Sequence, residues 1–316
     1  MSAFFENFCA VGGQVVILFL LIAIGALTRI SKMFNDESIR GITTFLLTFV
    51  TFCLLVVSFQ RDCSSEQLRM VGASAVIGIV FHAISIALAF LFIHDSDKSR
   101  EIVLRFSVVF TNAGFMSLPL QQAVLGEDGV FCGAVVVGIF QLLCWTFGLW
   151  LMTGETRTFT LRRILLNPGI LGIAAAMSLF LLEIRLPALI ADPCKHISNL
   201  NTPMAMIVIG YHLAGTKLLG IFRDGKALFA TFLRLVVAPL LLVVLLWICG
   251  GREWNRTLLV ATVIAASAPT AAITTMFAVQ HNRDVPLSVE IVSLSTLLSA
   301  LTMPLVVALA ETFLAR

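Results

Sequence analysis

Long apolar stretches, separated by short clusters of charged and turn-forming residues, set the pattern of this chain. A helix needs about 20 apolar residues to cross a bilayer. Breaks at the polar clusters therefore predict ten membrane spans, at about residues 11–29, 40–59, 69–93, 103–125, 129–152, 167–184, 199–215, 226–249, 257–280 and 286–313. The longest connectors, an Arg-rich one at about 153–166 and another at 185–198, are too short for a soluble domain. The pattern predicts an all-α polytopic membrane protein.

Composition supports this class and excludes others. Of 316 residues, 59% are hydrophobic and 12% are charged, whereas a soluble domain is about half apolar and a quarter charged. The net charge of +3 gives no reason to expect a nucleic-acid partner. The first apolar run, from Val11 to about Leu27, follows no basic residue and is too long for a signal peptide. We expect it to remain as the first span.

The distribution of basic residues predicts the orientation. Fourteen of the 21 Lys and Arg residues, counting Arg234, fall in or beside connectors on one side of the predicted membrane. Cytoplasmic loops carry the excess of Lys and Arg, so this side is expected to be cytoplasmic. With an even number of spans, both termini would then lie outside.

Two of the predicted spans contain the same interruption. Ser117 lies two residues before Pro119 in span 4, and Ser267 lies two residues before Pro269 in span 9. Proline removes a backbone donor and breaks a helix, and the freed backbone is tolerated in a bilayer only against protein or a wet cavity. Matched interruptions in two halves are typical of a transporter binding site. The alternative is that both are kinks that serve packing alone.

Spans 4 and 9 hold corresponding places if the chain consists of two five-span halves. We expect residues 1–152 to form the first five-helix repeat and residues 153–316 the second. Because five is odd, the second repeat must be inverted relative to the first. The two broken helices would then cross near the middle of the membrane from opposite sides.

The residues at these breaks predict an anion site. Ser is a good N-cap and Pro is tolerated in a first helical turn, so Ser117 and Ser267 are expected to begin second half-helices. Helix N-termini favour anions such as carboxylates. Asn112 and the Thr hydroxyls add hydrogen-bonding groups, and Gly114 would allow close backbone approach. The candidate substrate-binding residues are Thr111, Asn112, Gly114, Ser117, Pro119, Ser267, Pro269, Thr270 and Thr274.

Ionisable residues inside the spans are functional candidates, since charge is costly in a bilayer. Arg234 in span 8 could bind a substrate carboxylate or form a charge pair with Glu290 in span 10. His82 in span 3 could be a neutral, hydrogen-bonded histidine or a proton-coupling group. No pair of span aspartates is present of the kind expected in a cation/proton antiporter.

Neither an enzyme nor a metal site is predicted. The seven cysteines show no CxxC or Cys/His ligand spacing, and HExxH and GxSxG motifs are absent. We therefore expect no catalytic residue, metal or cofactor. Cys9, Cys63 and Cys194 fall on the predicted outer side, where a disulfide among them stays open.

Five motifs, in order along nearly the whole chain, resemble the auxin efflux carrier family in its bacterial branch, within the bile-acid/auxin/arsenite-type transporter group. They are Asn112, Gly114, Phe115 and Pro119; Asn167-Pro168 with Leu186-Pro187; Asn199 to Met206 with Gly210; Arg234-Leu235 with Pro239; and Ser295 to Ser299 with Pro304. The sequence departs from the family pattern at Ala113, which replaces Thr, at Phe52, which replaces Pro, and at Ala271-Ala272, where Asn is usual after the Pro.

The resemblance implies ten helices in two inverted repeats with crossing broken helices 4 and 9. Helices 1, 2, 6 and 7 would form a scaffold, and helices 3–5 and 8–10 a transport domain that moves like an elevator. It also implies a homodimer in the bacterial inner membrane that carries organic anions, such as malate or malonate. A sodium- or proton-coupled carrier of another solute, such as an amino acid, and a membrane receptor are the alternative functions.

Overall fold

The computed structural model describes residues 2–154, 168–216, 222, 224–250 and 254–314. Within these ranges the chain is helical, and a single isolated bridge is its β-structure. The helices are α1 (Ser2–Ile30), α2 (Asp36–Ser58), α3 (Ser65–Phe92), α4 (Lys98–Val109), α5 (Ala113–Thr153), α6 (Pro168–Leu181), α7 (Ala188–Ser198), α8 (Asn201–Ala214), α9 (Gly225–Ile248), α10 (Arg256–Ser267), α11 (Ile273–Gln280) and α12 (Val285–Leu314). Several basic residues used for the orientation lie outside the described residues, namely Arg157, Arg162, Arg163, Lys217, Arg223, Arg252 and Arg316.

Among the described residues, six helices are long and apolar enough to cross a membrane, namely α1 from Phe4 onward, α2, α3, α5, α9 and α12. The shorter apolar helices are α6 and α10. Polar N-caps fix where several of these helices start: the side chain of Asn35 accepts a hydrogen bond from the Ser38 amide before α2, and that of Ser64 accepts one from the Gln67 amide before α3. The predicted multi-pass helical membrane protein is therefore confirmed at this level.

A single glycine divides α5 into two arms. Gly126 has φ 68° and ψ −153°, a backbone conformation that residues other than glycine rarely adopt. We call residues 113–125 the first arm and residues 127–153 the second arm. The sequence pattern placed a connector between residues 125 and 129. In the structure Gly126 alone interrupts the helix there.

Helices α1 and α8 cross in backbone contact. A Cβ added at Gly25 would collide with the carbonyl oxygen of Ile207, and one added at Gly210 would collide with that of Ile22. Small residues let membrane helices approach this closely, where packing replaces the hydrophobic effect as the driving force. The two glycines therefore fix the distance between α1 and α8.

Charged residues gather at the two ends of the helices. At one end Arg100 contacts Asp224, lies 3.4 Å from Asp284 and 3.7 Å from Asp95, and so connects three separate loops. The amide of Asp97 and the ammonium of Lys226 hold the pKa of Asp95 below its usual value. At the opposite end, ion pairs join Arg61 to Asp128, Arg185 to Asp62 and Lys195 to Glu127. Loops assigned to one side from the sequence thus meet at one end, while the cytoplasmic assignment stays a prediction.

Candidate functional site

Two interrupted helices meet backbone to backbone. Helix α4 ends at Val109 and α10 ends at Ser267, and the extended residues that follow pair in an antiparallel bridge between Thr111 and Thr270. Two flanking main-chain hydrogen bonds, from Asn112 N to the Pro269 carbonyl (2.7 Å) and from Ala271 N to the Phe110 carbonyl (2.9 Å), complete the contact. We call this contact the crossing.

Local sequence explains why α10 stops there. Ala268 precedes proline and has ψ 149°, because the proline ring excludes the helical region for the residue before it. Pro269 has no N–H, yet its carbonyl is free to accept from Asn112. The chain leaves the helix there, and the Pro269 carbonyl and the Ala271 amide become available to pair with the opposite segment.

Thr270 is held on both sides of the bridge. Its amide donates to the Ser295 hydroxyl on α12 (3.1 Å), and its own hydroxyl donates to the Ser107 carbonyl on α4 (3.1 Å). Its side chain is fully buried. The amide and hydroxyl of Thr270 thus fasten the crossing, and its predicted role in binding substrate stays a prediction.

The predicted N-caps are wrong. The half-helix after the first break begins at Ala113, and the one after the second break begins at Ile273, so Ser117 and Ser267 cap neither. The Ser117 hydroxyl donates to the Ala113 carbonyl, and the Ser267 hydroxyl donates to the Ile264 carbonyl at 3.0 Å. A buried serine in a helix can donate its hydroxyl hydrogen to a carbonyl of the preceding turn, and both serines do so here.

The first arm of α5 opens with a π-helical turn, Ala113–Ser117, and continues as a regular helix from Leu118. Pro119 lies in the first turn of that regular part, where its missing donor costs least. Such π-helical turns are frequent at functional sites. The predicted break is therefore real, and it lies several residues before the proline.

Two polar side chains that follow the bridged residues make no hydrogen bond within the described part of the chain. Asn112 is 6% exposed, and its side-chain amide makes no hydrogen bond to any of the described residues. The hydroxyl of Thr274, in the first turn of α11, is buried and has no partner either. The amides at the start of a helix also lack intrahelical acceptors. These donors and acceptors are available to a bound molecule.

Open space adjoins the same turn. A Cβ placed on Gly114 would meet no atom within 4 Å. The prediction that Gly114 allows close approach to the backbone therefore stays a prediction, and no described protein group fills the space beside it. Gly114 lies two positions after Asn112 in the same turn, which makes this turn the best candidate for a ligand contact.

Arg234 contacts neither Glu290 nor open solvent. It is fully buried, and its guanidinium donates to three main-chain carbonyls: Val108 at 3.2 Å, Ala268 at 3.3 Å and Ala266. The predicted charge pair with Glu290 is wrong, since no carboxylate among the described residues lies within ion-pair distance of Arg234. The physical reason is that the carbonyls which end α4 and α10 supply the negative groups that the guanidinium needs.

His82 lies on α3 against the same region. Its Nδ1 is 2.7 Å from the Gly78 carbonyl, and since a carbonyl can only accept, Nδ1 carries the hydrogen. Nε2 is buried without a partner, and the ring lies 6.2 Å from that of Phe110. This geometry fits the neutral, hydrogen-bonded histidine, and a role in coupling stays a prediction.

Sequence reasoning missed three residues of the crossing. Ser107 and Ser295 hold Thr270, and the Phe81 ring lies 5.0 Å from the guanidinium carbon of Arg234. Ser295 was noticed only as part of a motif. A usable signal was present, because a serine in an apolar span has to find a partner inside the protein.

The described cysteines, including Cys9, Cys63 and Cys194, are free thiols, so the structure contains no disulfide among them. No group of three or more His, Cys, Asp or Glu residues in the described ranges could hold a metal ion.

Comparison with known proteins gives the chain a family. The family model for membrane transport proteins, the auxin efflux carriers, matches residues 10–161 and 152–307. A protein of Methanothermobacter thermautotrophicus named "uncharacterized transporter" is 22% identical over 296 residues, which cover 92% of this chain and 95% of that protein. The chain therefore belongs to the auxin efflux carrier family of membrane transport proteins.

Proposed function

We propose that this protein is a secondary transporter of small organic anions, with its substrate site at the crossing. The proposal is carried by Asn112, a residue only 6% exposed whose side-chain amide makes no hydrogen bond to the described residues, together with the open space at Gly114 in the same turn. Amide donors at a helix start suit a carboxylate. Family membership supports transport as the activity.

We further propose that the chain crosses the membrane ten times, as inverted repeats over residues 1–152 and 153–316. Helix α4 with the first arm of α5 would be one broken crossing helix, and α10 with α11 the other. The scaffold would consist of α1, α2, α6 and α8, and the transport domain of α3–α5 and α9–α12. The close crossing of α1 and α8 at Gly25 and Gly210 suits a rigid scaffold.

Elevator movement of the transport domain is part of the proposal. The Thr216 and Ser293 hydroxyls lie 2.9 Å apart and join the end of α8 to α12, one on each proposed body. It is a hydrogen bond between neutral groups, so movement would break it at a cost of about 1 kcal/mol. We expect this contact in one transport state only. A homodimer in the bacterial inner membrane, with both chain termini outside, completes the proposal.

Counterflow in proteoliposomes tests the function. Vesicles containing purified protein are preloaded with an unlabelled carboxylate, and accumulation of the radiolabelled compound is followed, with malonate, malate and their monoamides as probes. A carrier gives transient accumulation above equilibrium, and protein-free vesicles give none. Binding of a carboxylate without counterflow would indicate a receptor and overturn the proposal. Accumulation that requires an imposed sodium or proton gradient would identify coupling.

A further inference from the structure

We propose that Arg234 sets the electrical charge of the crossing, so that the site takes a ligand with one net negative charge. This inference rests on the proposed transport of organic anions and specifies the substrate class. The guanidinium acts here as a positioning and charge-setting group, because its described hydrogen bonds all go to main-chain carbonyls rather than into the open space.

Four helix ends meet around Arg234 and Asn112. The carbonyl ends of α4 and α10 face the guanidinium through Val108, Ala266 and Ala268. Each helix C-terminus carries about half a negative charge, so the two together offset about one positive charge. Arg234 is fully buried and has no carboxylate partner in the described part of the chain. A buried guanidinium needs such compensation, and the two helix ends provide it.

The remaining ends are positive. The first arm of α5 and helix α11 begin on the other side of the crossing, and each N-terminus carries about half a positive charge. Both helices begin within a few residues of the Thr111–Thr270 bridge, so together they bring about one positive charge to the crossing. An independent feature points to a ligand at the first arm, because Asn112 is more than nine-tenths buried and its side-chain amide makes no hydrogen bond within the described part of the chain.

This balance favours one ligand charge. A monoanion would leave the crossing close to neutral, whereas a dianion would bring a second charge into a buried region without a partner. A neutral ligand would leave the helix N-termini uncompensated. Without Arg234 the four helix ends sum to about zero, so the preference for an anion should disappear. An uncompensated charge in a buried site costs several kcal/mol, so the net charge of the crossing is enough to select among ligands of different charge.

Three compounds of one skeleton test the inference in the intact, detergent-purified protein. Succinamide is neutral, succinamate carries one negative charge, and succinate carries two at a pH of about 7.5, which is well above carboxylate pKa values. Dissociation constants are measured by calorimetry and uptake by counterflow. We expect succinamate to bind at least about tenfold more tightly than either of the others. Succinate binding as tightly as succinamate would overturn the charge inference and leave the anion transporter intact.

Variants at Arg234 separate charge from shape. Arg234→Lys keeps the charge and should keep the preference for succinamate over succinamide, whereas Arg234→Gln should reduce it to within about twofold. The wild-type ligand series decides the matter even if Arg234→Gln fails to fold. Retention of the preference in a folded Arg234→Gln protein would overturn the inference. Absence of binding and counterflow for all three compounds and for malonate and malate would overturn the proposed function itself.

Discussion

The amide nitrogen of Asn112 donates a hydrogen bond to the carbonyl oxygen of Pro269 across 2.7 Å, joining two interrupted helices from distant parts of the chain. This bond uses only main-chain atoms. The side chain at position 112 is therefore released from holding the crossing, and its amide makes no hydrogen bond to any residue in the described ranges. One residue thus serves the structure with its backbone and is available to a ligand with its side chain.

Asn112→Ala should weaken ligand binding without unfolding the protein. The backbone hydrogen bond to Pro269 does not depend on the side chain, whereas the lost amide removes about 1.4 kcal/mol of ligand contact, or about tenfold in affinity. Succinamate binding and thermal unfolding, measured on the same preparation, check this. Asn112→Asp is the companion variant. Its added negative charge should repel the anion, so it should weaken binding more than Asn112→Ala does. Unchanged binding in a folded Asn112→Ala protein would place the site elsewhere.

Ser295→Ala should destabilise the crossing. The Ser295 hydroxyl accepts the Thr270 amide, and its removal leaves a buried N–H without an acceptor, at a cost of about 1–3 kcal/mol. Ser299→Ala is the matched control, since Ser299 is also fully buried on α12 but bonds only to the Thr296 carbonyl of its own helix. Unfolding temperatures in detergent compare the two. Equal losses would mean that the Ser295 contact has no special role in stability.

The break after α10 could be predicted from sequence because its cause is local. Pro269 constrains Ala268, the residue before it, whatever the rest of the chain does. The separation of spans 4 and 5 was similarly readable, and Gly126 makes that turn. The prediction of membrane-spanning helices needed only the lengths of the apolar stretches.

The partners of Arg234 could not be predicted in this way. The carbonyl of Val108 lies 126 positions away along the chain, and those of Ala266 and Ala268 lie 32 and 34 away. A carbonyl is present at every residue, so composition gives no sign of which ones a guanidinium will meet. Glu290 attracted attention because acidic side chains are visible in a sequence and main-chain acceptors are not. The serine caps failed for a related reason, since a hydroxyl has an acceptor one turn back in any helix.

Gly210→Ala should destabilise the contact between α1 and α8. The added methyl group would overlap the carbonyl oxygen of Ile22, so the helices would have to separate. Overpacking of this kind typically costs about 1–3 kcal/mol. Gly13→Ala, on α1, is the control, because a Cβ there meets nothing within 4 Å and alanine favours the helix. A lower unfolding temperature is expected for Gly210→Ala alone. Equal unfolding temperatures for the two variants would show that α1 and α8 can move apart without loss of stability.

Acid should weaken the charge cluster around Arg100, and Asp95 allows the effect to be assigned. The amide of Asp97 and the ammonium of Lys226 stabilise the Asp95 carboxylate in the folded protein, so its folded pKa lies below the unfolded value of about 3.9. A group with a lowered folded pKa stabilises the protein above its unfolded pKa, and this contribution is lost as the pH falls through the folded pKa.

Unfolding temperatures measured from pH about 7 to pH about 3 check this sign, since the Asp95 contribution should fade below about pH 4. Asp95→Asn should start from a lower unfolding temperature at neutral pH and then lose less on acidification, because it has no charge left to lose. Asp62→Asn is the control. Its side chain is 94% exposed in its pair with Arg185, and such surface pairs contribute little. An acid response of Asp95→Asn as steep as that of the wild-type protein would mean that other carboxylates govern acid unfolding.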